Sequence, residues 1–437
     1  MQLAWPIIGL NVLQVLAIAI DTAMVGRTPG AESSLTGLSY AAQLIFLLMV
    51  TMIGLSVGVV ALISRAKGAG SNERVQHILH QSLQLTFLLG LVAAIVGNLF
   101  ASPLLLALGA SPETIAPALV YLRLILLGAP FIYTNILFAS ALRAVGNTRL
   151  PFLVALVMNG LNVLFNYGLI LGHFGLPQLG IRGAAIGTVA AEACAVALMF
   201  LMLRLHESPE LRPKTRFAAI DLPLTRKLFR IGWPAAADLL VFNIGFLVIV
   251  GMLGRIDQTY VAAHGIGLRV QSLAFVPGLG VSQAIGALVG QALGRGDEME
   301  ARRTLRAGMV MSITIMTVLG LGLILQAGAV VSLFGVDPGS HLHKYSIEWI
   351  QILGAAMPLA GMYVAFTGIL RGSGATMTSL RVNFVVTFLA LIPTSYLLGF
   401  TFHWGALGIW LAFPLTFIIK VVWLSAEYRR GKWVNAA

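Results

Sequence analysis

Long apolar runs alternate with short polar stretches along the whole chain. Twelve runs stand out, near 3–25, 38–63, 82–106, 116–140, 150–171, 183–203, 231–253, 260–290, 307–333, 347–369, 380–400 and 404–424. A helix of about 20 apolar residues crosses a hydrocarbon core of about 30 Å. The runs are continuous instead of alternating at every second residue, which excludes the strands of a membrane barrel. The pattern predicts an all-α integral membrane protein with twelve transmembrane helices. The first run is long enough to span and has no clear cleavage site after it, so it reads as a span, not a cleavable leader.

The same pattern repeats. Shifting the chain by 228 residues lays Trp5-Pro6 on Trp233-Pro234, Gly26-Arg27 on Gly254-Arg255, Gln43 on Gln271, Gly58 on Gly286 and Pro130 on Pro358. Leu142-Arg143-Ala-Val-Gly146-Asn-Thr148 falls on Leu370-Arg371-Gly-Ser-Gly374-Ala-Thr376. The offset then drifts to 227 at Gly172 and Gly399, and to 222 at Gly183-Ala184 and Gly405-Ala406. Each half holds six spans. Six is even, so both halves enter the membrane from the same side, as a parallel repeat about an axis along the membrane normal. Two pseudo-symmetric six-helix bundles follow: an N-lobe at 1–205, a cytoplasmic linker at 206–229 and a C-lobe at 230–437. The join, 204–230, carries Pro209, Pro213, Pro223 and seven Lys or Arg residues, the composition of a connector.

Composition agrees with this class. Hydrophobic residues make up 58% and charged residues 10%, outside the range of a soluble domain. The bases are asymmetric. One side holds Arg65, Lys67, Arg74, Arg143, Arg149, the linker, Arg295, Arg302, Arg303, Arg306, Arg371, Arg381, Lys420, Arg429, Arg430 and Lys432. The other has Arg27, Arg182, Arg255 and Lys344. The positive-inside rule then places both termini in the cytoplasm and the chain in the cell (inner or plasma) membrane. The net charge of +12 is accounted for without nucleic acid. Cys194 is the sole cysteine, which rules out an internal disulfide or a Cys metal cluster. No G-x-x-x-x-G-K-[ST] loop occurs, so a pump would draw on an ion gradient.

Duplicated halves share a scaffold, so positions where their polarity differs are candidates for function. Asp21 lies inside an apolar run, where a carboxylate is costly and marks an ion or substrate path; its counterpart is Ile249. Asn162 maps onto Ala390, Asn166 onto Thr394 and Thr188 onto Trp410. All four polar residues fall in the outer half of the membrane by helical rise. Asn162 and Asn166, four apart, share a face, and Asn159 lies on that side. A carboxylate, two amide oxygens and a hydroxyl suit Na⁺; they equally suit a proton on Asp21. Each Asn or Thr has an alternative role as a bridge between helices. Glu192, one turn after Thr188, is a cavity residue or a structural hydrogen-bonding group. Asp238 is a second cation site or the partner of a base such as Arg230; the second reading is preferred. Tyr133 and Asn135 line a cavity or pack helices. Pro6 is a candidate bend that would move Asp21.

Four patterns carry a resemblance: Trp5-Pro6 with Asp21-Thr-Ala-Met-Val-Gly26; Leu142-Arg143-Ala-Val-Gly146-Asn-Thr148; Asn162-Val-Leu-Phe-Asn166-Tyr-Gly-Leu-Ile-Leu-Gly172; and Gly183-Ala-Ala-Ile-Gly-Thr188. In this order on a six-plus-six repeat, the chain resembles the multidrug and toxic compound extrusion (MATE) family. The resemblance implies a V-shaped antiporter that exports cationic or amphipathic small molecules in exchange for H⁺ or Na⁺. It implies a cation site at Asp21, Asn162, Asn166 and Thr188, with no cofactor and no other metal. The protein is read as a monomer in the lipid bilayer. Some members have Asp where this chain has Asn166, and some have an acidic residue in the tenth span, where none lies between Pro358 and Leu370. The alternative within the superfamily is a flippase or exporter of a lipid-linked precursor. Its anionic cargo would call for a cavity lined by Arg or Lys, whereas the charges here away from the helix ends are mostly acidic. A membrane enzyme would need clustered carboxylates or a His constellation, and neither occurs.

Overall fold

A computed structural model describes residues 4–28, 31–205, 209–213 and 218–436. Among these residues the regular structure is entirely helical. The first compact unit, Met1–Gly232, contains α1 (Ala4–Val25), α2 (Ala31–Gly68), α3 (Asn72–Ala107), α4 (Pro112–Leu127), α5 (Ala129–Val145), α6 (Arg149–Leu171) and α7 (Ile181–Leu205). The boundary falls inside α8 (Leu222–Gly254). The second unit, Trp233–Ala437, continues with α9 (Gln258–Gly294), α10 (Glu298–Leu325), the short α11 (Ala327–Ser332), α12 (His341–Ser373), α13 (Thr376–Val386), α14 (Ile392–Tyr396) and α15 (Gly405–Arg429).

Among the described residues ten helices are long and apolar enough to cross a membrane, and the bent pair α4 and α5 makes an eleventh. The 22 residues of α1 supply a twelfth, about 33 Å long at 1.5 Å per residue. Each unit therefore contributes six spans.

The structure departs from the expected runs at several places. The fourth run is not one helix: it bends by 53° between α4 and α5. The break is at Gly128, which has no side chain where Val189 packs, and Pro130 follows, its backbone pressed on Gly90. Proline supplies no N–H and disfavours helix in the residue before it. Pro358, its repeat counterpart, lies inside an uninterrupted α12, so the halves differ in backbone as well as polarity. The ninth run breaks at Gln326 into α10 and α11. The eleventh span, Thr376–Thr401, contains two wide π segments, Thr387–Leu391 and Leu397–Thr401. Pro6 lies in the first described turn of α1, which runs without a break from Ala4 to Val25. A proline in a first turn removes an N–H that had no helical partner anyway.

The repeated Leu-Arg-x-x-Gly pattern now has a physical reason. Gly146 and Gly374 close α5 and α12 in the left-handed conformation, at φ 92° and 82°, which glycine adopts without a Cβ penalty.

The seventh span begins at Leu222, nine residues before its apolar run. Its first turns are polar because they precede the apolar stretch, so hydropathy passes over them. Asp221 caps this start, its Oδ1 accepting from the Leu224 N–H at 3.0 Å. Two side chains of α3 hold the cap: Gln81 accepts from the Asp221 N–H at 3.0 Å and donates to the Ala219 carbonyl at 2.8 Å, and His77 Nε2 lies 2.8 Å from Asp221 Oδ2. The Leu224 N–H, then His77, hold the Asp221 carboxyl below the usual carboxylate range. A depressed carboxylate stabilises the fold above its unfolded pKa of about 3.9 and loses that contribution as pH falls through its folded value. Asp221→Ala is accordingly expected to lower the melting temperature by a few degrees at neutral pH, with the gap closing under acid. Melting curves across pH check this; a gap that persists under acid means that packing, not the cap, was lost.

Candidate functional site

The polar residues of the N-lobe meet where α1 packs on α6 and α6 on α7. Asn162 and Asn166, one turn apart on α6, are 6% and 0% exposed. Their placement follows from the helix period, which puts i and i+4 one above the other. Close approach of α7 follows from its glycines: a Cβ on Gly183 would strike the Leu169 carbonyl, and one on Gly187 would strike Asn166 Oδ1.

A hydrogen-bond ladder results. Asn166 Nδ2 donates to Asp21 Oδ1 at 2.6 Å and to Asn162 Oδ1 at 3.3 Å. Asn162 Nδ2 donates to Thr188 Oγ1 at 3.2 Å, and Thr188 donates onward to the Ala184 carbonyl at 2.8 Å. All four residues singled out by the repeat are thus brought together. Asn166 Oδ1 is buried without a partner. An unpaired buried amide oxygen costs about 1–3 kcal/mol, and beside a carboxylate it is a ready ligand for a hard cation. The set of carboxylate, amide and hydroxyl oxygens fits either a monovalent cation or a proton on Asp21.

The other candidates separate. Glu192 Oε2 accepts from Asn135 Nδ2 of α5 at 2.7 Å, forming a second polar pair one turn along α7 from Thr188. Asn135 Nδ2 also lies 3.5 Å from Met158 Sδ of α6. Tyr133 is buried and donates to the Leu48 carbonyl of α2 at 2.9 Å. Asn159 donates to Ala155 of its own helix at 2.7 Å and stays outside the ladder. Asp238, 4% exposed, does not pair with Arg230. Its Oδ2 accepts from Ser379 at 3.2 Å and lies 3.7 Å from Arg371 Nη2. The base that reaches it comes from another span instead of its own helix.

Sequence reasoning passed over Tyr121 of α4, which packs against Val25 of α1, Ile170 of α6 and Ala184 of α7. An aromatic in an apolar run gives no signal of its own. In the second unit, Ile249 and Trp410, the counterparts of Asp21 and Thr188, are both 0% exposed in one apolar cluster with Leu253 and Trp349. The N-lobe site therefore has no copy at the equivalent depth.

A family model, MatE, matches the chain twice, over residues 6–168 and again over 234–397. The chain belongs to the MATE family of transporters. The two matches fall one in each unit, as the repeat requires. One relative, called a probable multidrug resistance protein NorM, from Thermotoga maritima, is 28% identical over 436 residues, covering 100% of this chain and 93% of that protein. Another, from Shewanella oneidensis, is named an FAD transporter; it is 28% identical over 417 residues, covering 93% and 89%. A solved outward-facing MATE transporter of the MOP superfamily shares the fold at a TM-score of 0.90 and 20% identity, over 99% of this chain and 95% of that one. As a MATE protein the chain is a multi-pass membrane protein of a family of transporters.

Proposed function

We propose that this chain is a multidrug efflux antiporter of the cell membrane, with both termini cytoplasmic, that exports organic cations or amphipathic compounds by alternating access in exchange for entering H⁺ or Na⁺. The ladder from Asp21 through Asn166 and Asn162 to Thr188 carries this reading. It gathers a single carboxylate and three neutral oxygen groups on three spans, the donor set that an exchanging cation needs. A cation arriving at Asp21 neutralises the N-lobe charge and weakens the hold on a cationic cargo. Linkage makes the effect reciprocal, so cargo weakens cation binding by the same factor.

The relative named as an FAD transporter supports a second reading, in which the cargo is anionic. One experiment separates the two. Purified protein in liposomes is loaded with a fluorescent cationic dye or with a flavin dinucleotide, and a pH gradient or a Na⁺ gradient is imposed. The first reading expects one gradient to drive the dye and neither to drive the dinucleotide. Movement of the dinucleotide alone overturns it.

A further inference from the structure

The C-lobe holds a second polar constellation, built on the same three spans of the repeat as the N-lobe ladder. It comprises Asp238 of α8, Ser379, Asn383 and Thr387 of the eleventh span, and Lys420 of α15. Asn383 Nδ2 donates to the Asp238 backbone carbonyl at 3.1 Å. Its Oδ1 accepts from Lys420 Nζ at 2.7 Å and from Thr387 Oγ1 at 3.4 Å. Lys420 is 6% exposed, and its ammonium lies 5.2 Å from the Tyr363 ring centroid and 5.9 Å from that of Phe417. Asp238 Oδ1 is buried without a partner.

The two constellations are related by one displacement. Asp238 precedes Ile249, the counterpart of Asp21, by eleven residues; Asn383 precedes Thr394, the counterpart of Asn166, by eleven; Lys420 follows Trp410, the counterpart of Thr188, by ten. The seventh and eleventh spans run one way and the twelfth runs the other. All three shifts therefore point to the end of the bundle where α8 begins and α15 ends. Each is about three helical turns, roughly 15–17 Å. The motif of carboxylate, amide and third-span group has slid as a unit. The eleventh span widens into its first π segment at Thr387, and such segments often mark functional sites.

The difference between the motifs is chemical. In the N-lobe the third span offers a hydroxyl oxygen and Asn166 Oδ1 is free. In the C-lobe the third span offers an ammonium, and it already sits on the amide oxygen. Among the described residues the hydrogen-bond partner of Lys420 is that neutral amide; the Tyr363 and Phe417 rings lie beside the ammonium, and the Asp238 carboxylate is near enough to act on its charge. Oxygen plus π-face is an arrangement that binds cations. A merely space-filling role would be met at lower cost by an apolar side chain.

We propose that the Lys420 ammonium is a tethered cation, occupying in the C-lobe the part that an exchanging ion plays in the N-lobe. The C-lobe then takes no ion from solution while Lys420 is present, and coupling is confined to Asp21. Removing the ammonium opens a site for a small primary ammonium ion. The clause about coupling rests on the antiporter reading; the binding test does not.

The test uses purified full-length Lys420→Ala. Its melting temperature is expected to fall below that of wild type and to recover with millimolar n-propylammonium, which has the shape of the deleted atoms. Tetramethylammonium at equal ionic strength, which cannot donate a hydrogen bond, is expected to do nothing, and wild type is expected to respond to neither. Equal responses to the two ions overturn the proposal. Purification that succeeds only with propylammonium present supports it. Should Lys420→Ala fail to fold in either ion, Lys420→Met and Lys420→Arg decide: stability kept by Arg and lost by Met supports a required charge, and a Met variant as stable as wild type overturns it. In liposomes, Asp238→Asn is expected to leave the half-saturating concentration of the coupling ion unchanged. A shift of tenfold there overturns the confinement of coupling to Asp21 without touching the ammonium result.

Discussion

Asp21→Asn is expected to abolish gradient-driven export while leaving a folded protein that binds its cargo with the weaker affinity of the ion-bound state. The substitution preserves shape, and an Asn oxygen still accepts from Asn166 Nδ2, which meets Asp21 Oδ1 at 2.6 Å in the native ladder. What disappears is the charge. Asn162, Asn166 and Thr188 have none to offer, so no other group in the ladder takes a proton or balances a bound Na⁺. Coupling between two ligands is typically 1–3 kcal/mol, a factor of about 5–150. Dye efflux under the driving gradient should drop by that factor or vanish, while dye binding in detergent falls to the level of ion-saturated wild type and no longer responds to the ion. Export equal to wild type would make Asp21 structural and turn attention to Glu192, a second N-lobe carboxylate within an apolar run, held by Asn135.

Asn166→Leu is expected to shift cation dependence by about tenfold or more, and the direction of the shift identifies the ion. Asn166 gives the Asp21 carboxylate a charge-assisted hydrogen bond, worth about 1.5–3 kcal/mol, and each 1.4 kcal/mol is a factor of ten. That bond favours the ionised carboxylate over its protonated form. Without it a proton binds more tightly, and half-maximal export moves to lower proton concentration. Sodium behaves oppositely: the variant lacks Asn166 Oδ1, an oxygen with no other partner, so half-maximal export needs more Na⁺. Export titrated against each ion in liposomes reads the direction. An unchanged half-saturation point for both ions removes Asn166 from the site.

The reach of the sequence was uneven, for physical reasons. A carboxylate within an apolar run and two amides four residues apart are visible without coordinates, because the cost of a buried charge and the period of a helix are local rules. They picked out four residues that the fold brings within hydrogen-bond distance; their part in cation binding is what the variants test. The twelve spans were equally legible, since hydropathy measures what a bilayer measures. Backbone breaks were not. Gly128 and the π turn at Thr387 leave the hydropathy of their runs unchanged, and the polar start of α8 lies before its apolar stretch. Partner choice over distance was also hidden. Arg230, eight residues from Asp238, looked like its base by proximity in the chain, yet Arg371 from α12 is the one within 4 Å. Lys420, counted by its position among cytoplasmic bases, is buried against Asn383. Nothing in a single run of residues announces a contact made between spans.

The central claim is that cargo and cation compete through Asp21. The most direct test is the affinity of purified protein for a cationic dye, measured against proton concentration and then Na⁺ concentration, in wild type and Asp21→Asn. The account predicts that one of the two ions weakens dye binding in wild type, that dye weakens binding of that ion by the same factor, and that both effects are absent in Asp21→Asn. Dye affinity that is indifferent to both ions in wild type would contradict it.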